Sequence, residues 1–348
     1  MERQRSRGID RYRGCLIGGA VGDALGWPVE FLSLDAIRIR HGTGGIRDLV
    51  PAAGGLAEVS DDTQMTLFTA EGLLDAGDVR GGGGSVGDRG DRGAVASVHR
   101  AYLRWLRTQG GRSEHPAFSE PHTGGLFAVS RVHAVRAPGN TCLSALRGPH
   151  AGTVEAPVND SKGCGGVMRA APAGLFARDV ASAFGLGCDV AALTHGHPSG
   201  YLSAGVLAAA VRAIVEGASL PAALDAATAE LRRRPRHEEC LAALERGRAL
   251  AASCGLAPPA PEALHRLGGG WVGEEALAIA ACCALAAPDF ESALIAAVNH
   301  SGDSDSTGSI AGNLLGAALG VEAIPRRWLD RVELRAETEG LADRLRAA

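Results

Sequence analysis

Lysine is almost missing from this chain. Of 35 basic residues in 348, Lys162 is the only lysine and the rest are arginine. The excess of Ala, Arg and Gly reads as a genomic compositional bias, so most arginines need no functional explanation. A charge excess of either sign is also missing, since the formal net charge is -4 with 21% charged residues. That balance gives no basic surface to suggest nucleic acid as a partner. No uninterrupted 18-residue apolar stretch occurs, and the polar, basic Met1–Arg13 is not followed by an apolar run of signal-peptide length, so a cytoplasmic chain with no membrane partner is expected. The eight cysteines lack C-x-x-C spacing and sit mostly among apolar neighbours. A zinc site or disulfide framework is therefore not expected, and buried free thiols are. Neither a Walker loop nor a G-x-G-x-x-G fingerprint occurs in the glycine-rich stretch Asn159–Arg169. No 20- to 50-residue repeat, dividing linker or convincing strand alternation is visible.

What the chain does have is helical periodicity and two short acidic segments, Ser60-Asp61-Asp62-Thr63 and Gly302-Asp303-Ser304-Asp305-Ser306-Thr307. Helical runs follow them, over 64–76 and 308–319, so both segments sit at helix N-termini. A single Asp or Ser there is an ordinary cap for free backbone N–H groups. Two carboxylates and several hydroxyls in each segment exceed what one cap uses. Four Asp brought together repel unless cations lie between them, and two divalent ions would balance them. Carboxylate and hydroxyl oxygens suit hard ions such as Mg²⁺, Mn²⁺ or Ca²⁺. On pattern alone, a cation site and two unrelated capped helices both stand.

Three other stretches carry chemistry. The first helix, over 12–26, is thinned by Gly18, Gly19 and Gly22, which cost helix stability and so predict close approach by another helix or a ligand. Glu30 follows it between Val29 and Phe31. An isolated Glu after a helix reads first as solvated surface, whereas its apolar flanks suit a buried functional carboxylate. The stretch Asn159–Arg169, NDSKGCGGVMR, has glycines at 163, 165 and 166 that fit either a plain turn or a loop whose N–H groups bind phosphate. Its lysine favours the ligand reading. His195 and His197 close a later helix without Cys or carboxylate neighbours, which argues against a metal role for them.

Helices are expected at 61–76, 95–107, 141–146, 167–176, 180–193, 201–215, 220–233, 238–253, 274–287, 290–300 and 308–319, with a short helical piece near 126–132. The segment 201–215 is expected to be buried. Residues 32–59 read as loop, and 80–93 as a flexible surface loop. An all-α, compact, single-domain chain over 1–348 is the economical reading, because the two acidic segments need each other.

The pieces GCLIGGAVGDALGWPVEF, SDDTQMTLFTAEGLL, NDSKGCGGVMRAAPAGL, THGHPSGYLSAG, GGGWVGEEALAIAACCAL and NHSGDSDSTGSIAGNLLGA run in order from residue 14 to about 320. In content and order they resemble the ADP-ribosylglycohydrolase family, which includes the dinitrogenase reductase-activating enzymes. The resemblance implies a multi-helix orthogonal bundle and a pair of Mg²⁺ or Mn²⁺ ions on Ser60, Asp61, Asp62, Asp303, Asp305 and Ser306. Ser stands at 60 and 306 where many relatives carry Thr. It also implies a catalytic carboxylate at Glu30, with Asp62 as rival, and an ADP-ribose cradle at Asn159, Ser161, Gly163, Gly165, Gly166, Met168 and His195. Asp23 and Glu275 are read as structural. The implied reaction is metal-dependent hydrolysis of the bond joining ADP-ribose to a modified protein, with arginine favoured over serine as the acceptor. The alternatives are small ADP-ribose conjugates, ADP-ribosylated nucleic acid, or a silent ADP-ribose binder.

Overall fold

Aligned backbone dipoles and free N–H groups make a helix start the natural place to hold carboxylates, and this fold brings two such starts together. The structure, a computed structural model, describes residues 2–80, 90–120 and 124–348. Sixteen α-helices, joined by short 3-10 turns, make up the fold, with no strand among the described residues. The first five are α1 (Glu2–Gly26), α2 (Leu34–His41), α3 (Asp61–Arg80), α4 (Gly90–Thr108) and α5 (Asn140–Arg147). Next come α6 (Ala171–Phe176), α7 (Val180–Ala192), α8 (Pro198–Val215), α9 (Leu220–Leu231), α10 (Glu238–Cys254) and α11 (Pro261–Leu264). The last five are α12 (Gly273–Ala286), α13 (Phe290–Val298), α14 (Ser304–Leu319), α15 (Arg326–Leu329) and α16 (Arg335–Ala347). One continuous apolar core runs through them, from Tyr12 in α1 to Leu345 in α16.

Most expected helices are present, with corrections at their ends. The 32–59 stretch is not all loop. Ser33 caps α2, its Oγ accepting from Ala36 N at 3.2 Å. Of the expected flexible loop 80–93, residues 81–89 lie outside those described, while Gly90–Gly93 form the first turn of α4. The piece expected near 126–132 is two 3-10 turns, and residues 167–170 precede α6 rather than belonging to it. α8 passes a length and hydropathy test for a membrane span, with mean hydropathy 1.3, but 89% of it is buried inside the fold. The expectation of a buried central helix holds there.

α1 and α14 pack antiparallel through glycine. Gly14, Gly18 and Gly22 face Gly316, Gly312 and Gly308, and Gly26 faces Ser304. At each position a Cβ would overlap the opposing backbone carbonyl. Spacing of four residues on both helices keeps the glycines on one stripe. Gly19 meets the Asn313 side chain instead, which donates from Nδ2 to the Cys15 carbonyl at 2.8 Å. Both close-approach readings of the first helix thus resolve to helix packing.

On helix propensity alone, Gly→Ala inside a helix stabilises by about 1 kcal/mol. At Gly316 the added methyl must push two backbones apart, which costs about 1–3 kcal/mol or more. Gly316→Ala is therefore expected to lower the midpoint of urea unfolding, whereas Gly185→Ala in α7, where a Cβ meets nothing within 4 Å, is expected to raise it. Equal shifts in both variants would show that the stripe does not set the helix spacing.

Candidate metal and active site

The two acidic segments sit at the starts of α3 and α14. Ser60 is the cap of α3, its Oγ accepting from Asp62 N at 3.2 Å. Asp23, wholly buried in α1, pins this turn. Its carboxylate accepts from Ser60 N at 3.0 and 3.1 Å, from Thr63 N at 3.0 Å and from the Thr63 hydroxyl. The structural reading of Asp23 holds. The strand-like approach to Ser60 is held from the C-terminal region, where Glu333 accepts from Val59 N and pairs with Arg136 at 2.5 Å.

Asp303 is the cap of α14. It accepts from Ser306 N at 3.2 Å, and Asp305 accepts from the same N–H at 3.0 Å. Capping and crowding are therefore both true of these segments.

Glu30 is brought to the cluster by the 3-10 turn Trp27–Val29 that ends α1. The solvated-surface reading is overturned, because Glu30 is only 8% exposed. Glu30, Asp303 and Asp305 each place an oxygen within 4.8 Å of the other two. Asp61 and Asp62 face this trio electrostatically, and Asp61 also accepts from Gly139 N at 3.1 Å. Glu30 Oε2 and Asp62 Oδ2 are buried and have no hydrogen-bond partner. Unpartnered buried carboxylate oxygens are costly unless a cation or proton meets them. Burial, followed by the neighbouring carboxylates, pushes Glu30 up to about 9. Asp61 rises to about 8, with burial again the main cause. Asp62, Asp303 and Asp305 also rise, through burial first. Three close carboxylates with orphaned oxygens and no nitrogen ligand form a donor set suited to a hard divalent cation.

Beside the carboxylates lies the glycine-rich loop. Gly163 bridges to Val272, with Gly273 N donating to the Lys162 carbonyl at 2.8 Å. Asn159 ties the loop to the histidine turn, accepting from Ser161 N and Gly196 N and donating to the Thr194 carbonyl at 2.8 Å. Ser161 Oγ meets Thr141 Oγ1 at 3.1 Å. Gly163 and Gly165 pass the His195 ring so closely that a Cβ on either would touch it. His195 is buried, and its Nδ1 meets Thr194 Oγ1 at 2.8 Å. Burial and then the nearby Arg169 charge lower its pKa to about 3, so it is a neutral imidazole. The loop thus gathers Asn159, Ser161, Gly163, Gly165 and His195. Gly166 instead packs on Ala191 and Gly200, and the Met168 side chain lies in the apolar core. Lys162, whose presence favoured a ligand, is engaged by Glu239 and Glu274, each at 2.6 Å. His197 caps α8, accepting from Ser199 N. Glu275 accepts from Gly269 N and Gly270 N and so is structural.

Four residues at the site escaped the sequence reading. Cys164 donates from Sγ to Asp303 Oδ2 at 2.7 Å. Arg169 is wholly buried, donates to Thr194 Oγ1 at 2.6 Å and lies 4.4 Å over the Tyr102 ring. Phe31 and Trp271 are 68% and 45% exposed and stack with centroids 5.7 Å apart. They adjoin Glu30 and Gly270, and a Cβ on Gly270 would meet Asp303. Only a pairing across 240 residues reveals this, so local periodicity carries no signal for it.

Fold and site together define a helical hydrolase built around a buried acidic centre. The chain belongs to the ADP-ribosylglycohydrolase family, whose model matches residues 4–348, and members of this family hydrolyse glycosyl bonds. It is 27% identical over 345 residues to the ADP-ribosyl-[dinitrogen reductase] glycohydrolase of Rhodospirillum rubrum, covering 95% of this chain and 92% of that one. It is 26% identical to the ADP-ribosylarginine hydrolase Tri1 of Pseudomonas putida, covering 97% of this chain and 78% of that one. A solved structure titled ADP-ribosylglycohydrolase-related protein complex superposes with TM-score 0.64 at 27% identity, over 98% of this chain and 99% of that chain.

The raised carboxylates fix the sign of a pH effect. A carboxyl whose folded pKa is raised binds more protons folded than unfolded, so its burial costs stability as pH climbs from the ordinary range, roughly 4, through about 9 for Glu30. In chelator, thermal stability should fall across that window. Added Mg²⁺ or Mn²⁺ should restore it, most at the alkaline end. A melting temperature in chelator that rises with pH over this window would contradict the crowding of these carboxylates.

Proposed function

We propose that the chain is a divalent-cation-dependent hydrolase that releases ADP-ribose from a modified protein side chain, arginine in preference to serine. The observation that carries this reading is the trio Glu30, Asp303 and Asp305, buried beside the orphaned oxygen of Asp62. Asp61, Asp62, Asp303 and Asp305, with the hydroxyls of Ser60 and Ser306, would hold two cations, Mg²⁺ or Mn²⁺. When bound, such ions grip ribose hydroxyls and acidify water.

The remaining work falls to the chain's own groups. Cleavage at the anomeric carbon passes through an oxocarbenium-like state, which a nearby carboxylate stabilises. Glu30 is buried, with a free Oε2 and a raised pKa, so it is suited to take a proton from the attacking water or give one to the leaving group. Asp62 is the rival for that role. The loop at 159–165, with neutral His195 behind it, would cradle the diphosphate through its polar side chains, since its Ser161, Gly163 and Cys164 N–H groups are engaged within the protein.

Two observations favour arginine. Curated relatives are named as ADP-ribosylarginine hydrolases. The exposed faces of Phe31 and Trp271 beside Glu30 suit a planar guanidinium, which stacks on aromatic rings and gains about 0.5–2 kcal/mol there.

The test is release of ADP-ribose from arginine-linked and serine-linked peptides with Mg²⁺, with Mn²⁺ and with chelator. Cation-dependent release from the arginine-linked peptide is expected. Binding of ADP-ribose without release from any conjugate would make the chain a silent binder, and release only from small esters or nucleic acid would move the substrate class. Asp303→Ala and Asp61→Ala should each lose cation binding by calorimetry and turnover while keeping the helical circular dichroism spectrum. Trp271→Ala should raise KM for the arginine-linked peptide by about three- to thirtyfold and leave that for the serine-linked one unchanged; equal effects on both would remove the aromatic pair from acceptor recognition.

A further inference from the structure

Arg169 follows the glycine loop as a wholly buried positive charge that meets no carboxylate among the described residues. Its guanidinium is held 4.4 Å over the Tyr102 ring, with Nη1 3.2 Å from the Cys142 sulfur and 3.3 Å from that of Met65. Nη2 donates to Thr194 Oγ1 at 2.6 Å, and the same oxygen lies 2.8 Å from His195 Nδ1. Arginine can only donate, so this bond takes a lone pair of the threonine oxygen and leaves the hydroxyl proton for another acceptor. The Cys142 sulfur also faces the hydroxyl, but sulfur accepts weakly and an imidazole nitrogen accepts well. Nδ1 is therefore the acceptor. Burial keeps the ring neutral, and its single N–H is then on Nε2. The guanidinium favours the same tautomer, because a lone pair rather than an N–H then points toward the cation.

The Nε2 edge turns to the glycine loop. A Cβ on Gly163 would lie 3.3 Å from Nε2, and one on Gly165 3.2 Å from it. His195 is only 2% exposed, and among the described residues Nε2 makes no hydrogen bond. A buried donor left unused is costly, so this bare edge beside two absent side chains points to an acceptor that arrives with a ligand. We propose that Arg169 and Thr194 are positioning residues that hold His195 as the Nε2–H tautomer, so that the ring gives a neutral N–H to an oxygen of the bound diphosphate. This rests on the reading of the loop as the ADP-ribose cradle. The Ser161, Gly163 and Cys164 N–H groups are spent inside the protein, so the anion needs a side-chain donor on this edge.

The full chain, labelled with nitrogen-15 in its histidine rings, would be followed by long-range proton–nitrogen correlation NMR, with His195 assigned by the loss of its signals in His195→Gln. The native chain is expected to show a protonated Nε2 and an unprotonated Nδ1 before any ligand is added, a reading that needs no variant. Thr194→Ser should keep that pattern, while Thr194→Val and Arg169→Met should give a mixture of tautomers. ADP-ribose affinity by calorimetry should fall about tenfold in Thr194→Val and return to within about threefold of native in Thr194→Ser. ADP should move the Nε2 proton signal as ADP-ribose does, and adenosine should not. A native ring protonated on Nδ1, or a tautomer unchanged in both Thr194→Val and Arg169→Met, would overturn the positioning role. An Nε2 signal that bound ADP-ribose leaves unmoved would overturn the phosphate contact. In both cases the hydrolase reading stands if ADP-ribose is still released from the arginine-linked peptide. A native chain that binds no ADP-ribose would bring down the cradle and this inference together.

Discussion

The fold depends on two helix backbones lying as close as backbones can. α1 and α14 are separated in sequence by nearly the whole chain, and they meet through Gly14, Gly18, Gly22 and Gly26 against Gly316, Gly312, Gly308 and Ser304. Without side chains between them, dispersion contacts form between the main chains themselves, and Cα–H groups can face carbonyl oxygens. Glycine costs helix propensity at every one of those positions, so the stripe is retained for what it positions. The close contact ends where Gly26 meets Ser304, and the chain then turns through 27–29 into Glu30. The acidic first turn of α14 and Glu30 are consequently set side by side by the same packing that joins the ends of the chain.

That placement is held against a cost. Crowded carboxylates repel and resist ionisation when buried, which is why Glu30 and Asp61 shift upward. The surrounding structure resists relaxation on every side. Asp23 holds the first turn of α3 through three donors, Gly139 holds Asp61, and Cys164 and Ser306 hold Asp303. On the proposed function, carboxylates already held in this way would lose little entropy when an ion arrives, and the folding energy spent on crowding would return as affinity.

Much of this was legible in the sequence because helix starts, glycine spacing and acidic doublets are local patterns. The helical class, the buried α8, the close-packing face of α1 and the cap at Ser60 could all be read from neighbouring residues, whereas the cap of α14 falls on Asp303 rather than on Ser304, where a hydroxyl cap is expected. Glu30 could not be settled that way, since the carboxylates gathered with it, Asp303 and Asp305, come from the far end of the chain. α2 was missed because its eight residues are too few for a clear periodic signal, with only Leu34 and Ile37 buried, and the Ser33 cap is one weak cue among the surrounding turns. Lys162 misled because rarity is not a measure of function; two glutamates from α10 and α12 neutralise it. The Phe31–Trp271 pair and the Cys164–Asp303 contact are tertiary facts with no sequence period at all.

Arg169 shows how the two halves of the site divide the electrostatic work. A fully buried guanidinium is expensive unless a carboxylate or other strong acceptor meets it, and no ion pair to it occurs among the described residues. Its partners are a threonine hydroxyl, two sulfur atoms and the Tyr102 face, none of which cancels its charge. That uncancelled charge lies behind the glycine loop and beside His195, whose proton affinity it depresses. Asp303 and Asp305, at the start of α14, gather at Glu30. On the proposed function, a substrate with a diphosphate at one end and a scissile bond at the other meets a positive floor under its phosphates and a cation-ready wall at its ribose.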